Sequence, residues 1–204
     1  MLIVGLTGSL GMGKSTAAAH LRARGLPVFD ADTEVHRLYA GKAVAPVEHA
    51  FPGTATGGSV DRGKLSAALI AEPSRFAELE AIVHPLVRDA ERAFLRAEAA
   101  RGAPLAVLEI PLLFETGADK RVDAVILVSA PLEIQRERLA RRPGLSEEKL
   151  DSLLARQMPD AEKRRRAQFV VDTSGTVEAS RAALDAIIAE LRRCRGDAYE
   201  RHWA

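Results

Sequence analysis

Gly8-Ser9-Leu10-Gly11-Met12-Gly13-Lys14-Ser15 stands close to the start of the chain. It fits the pattern G-x-x-x-x-G-K-[ST], follows directly on the apolar run Leu2 to Leu6, and opens into a helix-forming segment, Thr16 to Arg24. A strand, a glycine-rich turn and a helix in that order are the context in which this pattern is a phosphate cradle. Gly8, Gly11 and Gly13 lack a Cβ, so successive N–H groups can turn inward to phosphate oxygens. The start of the helix adds unpaired donors and partial positive charge. Lys14 can reach the β- and γ-phosphates, and the Ser15 hydroxyl can ligate Mg²⁺. The expected nucleotide-binding set is therefore Gly8, Gly11, Met12, Gly13, Lys14, Ser15 and Thr16.

Working outward, 204 residues are enough for one α/β domain with insertions. A hydrophobic fraction of 47% and a charged fraction of 28% are those of a soluble globular protein. The formal net charge of +1 argues against a dedicated nucleic-acid surface, which is usually strongly basic. The lone Cys194 excludes an internal disulfide, fits a reducing compartment and supplies no zinc ligand set. No apolar run approaches the roughly 20 residues of a membrane span. Gly5, Thr7 and Gly8 interrupt any signal-peptide core, so a cytoplasmic protein is expected.

Along the chain, Leu2 to Leu6 reads as a strand buried on both faces of a parallel sheet. A helix follows and ends near Gly25; Leu26 to Phe29 is a second strand, stopping at Asp30-Ala31-Asp32, and Thr33 to Tyr39 is again helical. Gly41 to Gly63 has no clear periodicity and reads as the way into an inserted region. Asp61 to Ala71 has helical spacing. Pro73 to Arg101 is helical but broken at His84-Pro85, where the residue before proline resists the α conformation and proline suits a first helical position. Leu105 to Leu108, ending at Glu109, Ala124 to Val128, and Phe169 to Val171 are the remaining strands. Helices are expected from Pro131 to about Arg142, from Ser146, whose Glu147 and Glu148 favour a helix start, and from Val177 to Arg193. Strands alternating with helices predict a five-stranded, doubly wound parallel sheet flanked by helices. The arginine-rich helices of 131–166 read as a lid.

Ligands of such sheets bind beyond the carboxyl ends of the strands, so Asp30 and Asp32 are expected on the rim of the phosphate loop. Either can cap the next helix; a strand-end carboxylate can also accept the proton of a substrate hydroxyl. A lone histidine is more often structural, but His84 at a helix start, with Arg88 in the first turn, points to an anion or ribose contact. Glu109 ends its strand as the acidic residue of a Walker-B-like element does, which gives it a place near Mg²⁺; an exposed strand end is the alternative. Arg138 and Arg142, four apart, share a helix face and suit the charge that spreads over oxygens in phosphoryl transfer. Arg156 and the run Lys163-Arg164-Arg165-Arg166 read as solvated faces.

With these residues in place the chain resembles the dephospho-CoA kinase family over residues 4 to about 175. Val4 to Thr16 is similar to its phosphate loop, Phe29-Asp30-Ala31-Asp32 to its Asp-Ala-Asp segment, His84-Pro85 to its His-Pro, and Pro111-Leu112-Leu113-Phe114-Glu115 to its Pro-Leu-Leu-Phe-Glu. The resemblance implies a P-loop kinase core (1–40, 103–130 and 167–195), a helical coenzyme-binding insertion (41–102) and a lid (131–166) in a single domain. It implies transfer of the γ-phosphoryl of ATP to the ribose 3′-hydroxyl of dephospho-CoA, with Mg²⁺. Lys14, Asp32, Arg138 and Arg142 then carry catalysis, with Asp32 the carboxylate that engages the acceptor hydroxyl. Asp32, His84, Arg88, Leu112 and Phe114 line the acceptor, and Ser15 and Glu109 attend the metal. Three departures stand out: Glu109 in place of aspartate, Asp172-Thr173-Ser174-Gly175 in place of an asparagine-containing segment near the adenine, and Ser9 and Met12 in place of small loop residues. The competing readings are a P-loop kinase of another small acceptor, such as a nucleoside monophosphate, and a nucleotide switch. The switch needs an Asn/Thr-Lys-x-Asp guanine reader, and the chain has no asparagine and no Thr-Lys pair.

Overall fold

The apolar run that begins the chain forms β1 (Leu2–Thr7), buried along its whole length as a strand covered on both faces must be. The other strands of its sheet are β2 (Val28–Asp30), β5 (Leu105–Glu109), β6 (Ala124–Ser129) and β7 (Phe169–Asp172); β3 (Ala55–Thr56) and β4 (Ser59–Val60) form a separate hairpin. In the computed structural model, which describes residues 1–141, 154 and 157–204, the five strands are ordered β2-β5-β1-β6-β7. Arg142, Arg156 and the helix expected from Ser146 lie outside the described residues.

β1 runs parallel to both neighbours, Leu6 lying opposite Glu109 on one side and Ile126 on the other. β7 extends the parallel set with Ser129 opposite Asp172. The carboxyl ends of β1, β5, β6 and β7 therefore share one rim, the usual ligand edge of such sheets. Helices α1 (Lys14–Ala23), α6 (Leu132–Ala140), α7 (Asp160–Arg166), α8 (Val177–Leu191) and α9 (Ala198–His202) accompany them. The core joins Val4, Leu6, Ile126 and Val128 to Leu21 of α1 and to Leu184 and Ile188 of α8. Each fully buried aliphatic side chain contributes about 1.5–3 kcal/mol. The C-terminal segment packs on the same body. Asp123 accepts from Ile3 N, Asp197 N and Ala198 N, and buried Trp203 donates its indole N–H to Arg121 O at 2.9 Å.

The chain divides into two compact units, residues 1–29 with 95–204, and residues 30–94. The second unit contains α2 (Ala31–Tyr39), α3 (Val44–Ala50), the hairpin, α4 (Arg62–Ala71) and the part of α5 (Phe76–Ala100) up to Phe94. Its core gathers Leu38, Val47, Phe51, Val60, Leu65 and Leu69. Two findings correct the sequence reading. The stretch 41–63, which shows no clear periodicity, contains regular elements: α3 and a hairpin in which Gly57 and Gly58, both at positive φ, make the two-residue turn and Thr56 pairs with Ser59. The helix also does not break at His84-Pro85; α5 is continuous, with Pro85 inside. Proline removes one helical hydrogen bond at a cost of about 3 kcal/mol. Leu79, Ile82, Leu86 and Val87, on both sides of it, pack against the unit's core. At about 1.5–3 kcal/mol for each full burial, even partial burial of four such side chains outweighs the loss.

Candidate active site

The phosphate loop joins β1 to α1, and its glycines meet different demands. A Cβ on Gly8 would lie 2.4 Å from Val128 Cγ2 and 2.7 Å from Val128 O, so the loop leaves β1 pressed against β6. Gly11 and Gly13 have φ of +82° and +86°, which other residues seldom adopt. Gly13 caps α1 without a side chain, so the partial positive charge of its first turn faces the loop. Ser15 and Thr16, in that turn, are exposed. Met12 is built differently from its neighbours: its side chain is buried, its sulfur accepts from Ala130 N at 3.1 Å, and its N–H donates to Ser9 O at 3.1 Å. It serves the loop as a core anchor.

The loop lysine is held by the end of the adjacent strand. Lys14 Nζ donates to Glu109 Oε1 at 2.9 Å, and Arg22 reaches Glu109 Oε2 at 3.2 Å. Glu109 is 2% exposed, so it is a buried carboxylate with a cation on each oxygen, not an exposed strand end. The longer glutamate side chain spans from the strand to both cations.

A cavity of about 280 Å³ opens beside the loop, lined by Gly11, Gly13, Thr16, Arg138, Thr173 and Arg181 among others. Arg138 of α6 donates to Gly11 O at 3.4 Å, to Thr173 Oγ1 at 3.3 Å, and closely to Thr173 O. Thr173 Oγ1 in turn donates to Met12 O at 2.9 Å. One hydroxyl thus ties the end of β7, the loop and the arginine together. Asp172 turns away to accept from Ser174 N at 2.7 Å, and that N–H, with the Ser174 hydroxyl, holds its carboxyl below the usual carboxylate range.

The segment 111–115 packs on β1. Thr7 Oγ1 donates to Pro111 O at 3.1 Å, and Leu113 fills the gap left by Gly5, where a Cβ would stand 2.4 Å from Leu113 Cδ1. Leu112 is half-buried; Phe114 is buried, with the Arg166 guanidinium 4.9 Å from its ring centre. The basic run 163–166 is therefore not simply a solvated face. Lys163 is wholly buried, its Nζ 2.9 Å from Glu115 Oε1, close enough for an ion pair though out of line for a hydrogen bond. Arg164 donates to Ser129 Oγ and Arg166 to Asp119 Oδ2, both at 2.9 Å. Arg164, Arg165 and Arg166 are all exposed on the helix, as expected of a solvated face; Lys163 departs from it by burial, and Arg164 and Arg166 by the partners they hold.

In the second unit, Asp30 is the cap of α2, accepting from Thr33 N at 3.0 Å, while Asp32 lies exposed in the first turn. His84, half-buried, and Arg88, exposed, stand mid-helix in α5, not at a helix start. Thr173 and Lys163 were missed as site-building residues. Thr173 had a signal in the departure at 172–175; the single buried lysine in a run of four cations had none.

A glycine-built cradle at the carboxyl rim of a sheet ordered in this way belongs to the P-loop kinases, which grip a triphosphate with backbone N–H groups and one lysine. The profile of the family described as CoaE, dephospho-CoA kinase, matches residues 2–179. A dephospho-CoA kinase of Rhizobium meliloti is 56% identical over 192 residues, covering 94% of this chain and 99% of that one. Among solved structures, TT1252 from Thermus thermophilus superposes with a TM-score of 0.79 at 42% identity, covering 93% of this chain and 97% of its own. The dephospho-CoA kinase of Campylobacter jejuni has the same fold, with a TM-score of 0.70 at 24% identity over 94% of this chain and 97% of its own. The chain belongs to the dephospho-CoA kinase family.

Proposed function

We propose that the chain transfers the γ-phosphoryl of ATP to the ribose 3′-hydroxyl of dephospho-CoA, giving coenzyme A and ADP, the last step of coenzyme A biosynthesis. The observation that carries the chemistry is the loop itself: glycine-directed backbone donors, Lys14 poised on Glu109, and Arg138 beside the same cavity. The acceptor is supported by family membership over residues that include Asp30-Ala31-Asp32, His84-Pro85 and the 111–115 segment.

Each residue then has a role. Loop N–H groups and Lys14 hold the β- and γ-phosphates. Arg138, with Arg142 as a second arginine by sequence, offsets charge on the oxygens of the transferring group. Asp32 accepts the proton of the attacking hydroxyl, and His84, Arg88, Leu112 and Phe114 belong to the acceptor side, Phe114 by fixing the fold of its segment.

Among the described residues no three His, Cys, Asp or Glu side chains gather to hold a metal. That fits Mg²⁺ arriving on ATP, since Mg²⁺ usually takes one or two protein ligands with substrate phosphates. Ser15 would hold it, with Glu109 behind, and it would neutralise phosphate charge. The exposed Ser15 hydroxyl at the helix start fits a direct ligand, whereas Glu109, with Lys14 on one oxygen and Arg22 on the other, suits only a place behind the metal's own ligands. Cytoplasm is the proposed location, where the exposed Cys194 thiol stays reduced. Among the described residues no helix is long and apolar enough to cross a membrane.

The test is ADP release with dephospho-CoA, compared with nucleoside monophosphates and sugar acids as acceptors. Dephospho-CoA is expected to give a kcat/KM at least about 100-fold above the others, a margin that polar recognition of the acceptor supplies. Equal or faster turnover of a nucleoside monophosphate would overturn the acceptor while leaving the kinase.

A further inference from the structure

Two buried or half-buried amides grip one residue of the phosphate loop. Gln135 of α6, 5% exposed, donates its Nε2 to Leu10 O at 2.7 Å; Gln157 accepts from Leu10 N through Oε1 at 3.2 Å. The direction of each amide is settled by its partner, because a backbone carbonyl requires a donor and a backbone N–H an acceptor. In a trans peptide the C=O and the next N–H point opposite ways. With Leu10 O drawn to Gln135, Gly11 N–H is turned to the other side of the loop. With Leu10 N drawn to Gln157, the carbonyl of Ser9 is turned away from Gln157, and it accepts from Met12 N at 3.1 Å. The two amides thus set two successive peptide planes at the bend where Gly11 takes its positive φ.

Gln157 is itself placed by a buried charge. Met158 N, the next amide along, donates to Glu115 Oε1 at 2.8 Å, and the same oxygen lies 2.9 Å from Lys163 Nζ. The carbonyls that follow are held by other side chains, Gly11 O by Arg138 and Met12 O by Thr173, so the two amides are what fixes Leu10 itself. We infer that Gln135 and Gln157 are positioning residues for nucleotide phosphate, presetting the N–H direction of the loop through the Leu10 peptides and thereby the affinity for ATP. This rests on the proposed kinase reading for its kinetics, but ATP affinity can be measured without any acceptor.

The two amides play opposite chemical roles, and that separates positioning from mere packing. A glutamate at 157 still accepts from Leu10 N; a glutamate at 135 sets a carboxylate against a carbonyl. The test compares Gln157→Ala, Gln157→Glu, Gln135→Met and Gln135→Glu with the parent. Equilibrium ATP affinity without acceptor, KM for ATP, kcat and thermal midpoint are recorded for each. Gln157→Ala and Gln135→Met, which keeps the side-chain volume, are expected to weaken ATP about tenfold in Kd and KM with kcat changed less than about threefold. Gln157→Glu should return to within about threefold of the parent, while Gln135→Glu remains at least as weak as Gln135→Met. Equal behaviour of the two glutamate variants, or ATP affinity within twofold of the parent in all four, would overturn the inference. A parent that binds ATP but does not phosphorylate dephospho-CoA would overturn the acceptor reading instead, with the affinity pattern still deciding the amides.

Discussion

Polar contacts within the phosphate-loop unit differ in reach from those within the helical unit of residues 30–94. Around the loop the bonds join residues far apart in sequence: Lys14 to Glu109 across 95 positions, and Thr173 to Met12 across 161. The helical unit contains many local ones: Asp30 to Thr33, Asp61 to Gly63 and Lys64, Glu48 to Gly53 and Ala55, Arg37 to Glu34. The loop's geometry is thus a property of its whole unit, whereas α2 and α4 of the second unit are capped by the residue that precedes each of them. Damage to a remote residue should therefore reach the chemistry in the first unit and stay local in the second.

The exception sets the largest expected effect. Asp32 sits in the locally built unit yet is the proposed proton acceptor, while its neighbour Asp30 holds the helix cap. Asp32→Asn should lower kcat about 10²- to 10⁴-fold, the usual worth of general base catalysis, with ATP affinity and thermal midpoint close to the parent. An unchanged kcat would remove Asp32 from the mechanism. Next comes Lys163→Ala, which strands Glu115 beside the 111–115 segment. Breaking one side of a buried pair costs about 3–5 kcal/mol, read by urea unfolding, and ATP turnover should fall with it because Glu115 also holds Met158 N. A loss under about 1 kcal/mol would show the pair to be idle.

Smaller effects are expected where a contact is local. Asp61→Ala removes the cap of α4 and should cost about 1 kcal/mol while leaving kcat within twofold; a large fall in kcat would contradict the local character of that unit. The smallest is a pH effect in the first unit. Asp185 lies against Arg24, whose Nε donates at 2.8 Å, and against His20 at 2.9 Å, and Arg24 above all holds its carboxyl far below the ordinary carboxylate range. A depressed folded-state pKa contributes stability that is present above the ordinary value, about 4, and is lost as pH falls below it. Asp185→Asn should therefore flatten the decline of the thermal midpoint between pH 5 and pH 3. An identical acid limb in parent and variant would remove Asp185 from it.

How much could be read in advance follows the same division between local and distant causes. The loop and the five strands of the main sheet depend on residues a few positions apart, so pattern and propensity sufficed for them. For Asp30 and Asp32 the residues alone left the cap open between the two, and backbone geometry at the end of β2 assigns it to Asp30. The continuation of α5 through Pro85 was hidden because the compensating force is the packing of Leu79, Ile82, Leu86 and Val87 on partners up to about 50 residues away in sequence. Lys163 was hidden by its company: four consecutive cations look solvated unless Glu115 and Asp119 are known to lie against them. Glu109 was legible as an acidic strand end, but not as the seat of both Lys14 and Arg22. The grip of Gln135 and Gln157 on Leu10 left no local mark, since an amide on a helix is ordinary until its partner is seen.

The central claim is that phosphate leaves the nucleotide gripped by this loop and ends on the 3′-oxygen of the acceptor ribose. Incubation of the full chain with Mg²⁺, dephospho-CoA and ATP labelled at the γ-phosphorus measures it directly, the product being isolated and its phosphate positions determined. One label per ADP released is expected, carried on the 3′-oxygen of the coenzyme A ribose. Label released as inorganic phosphate, or found at any other position of the acceptor, would contradict it.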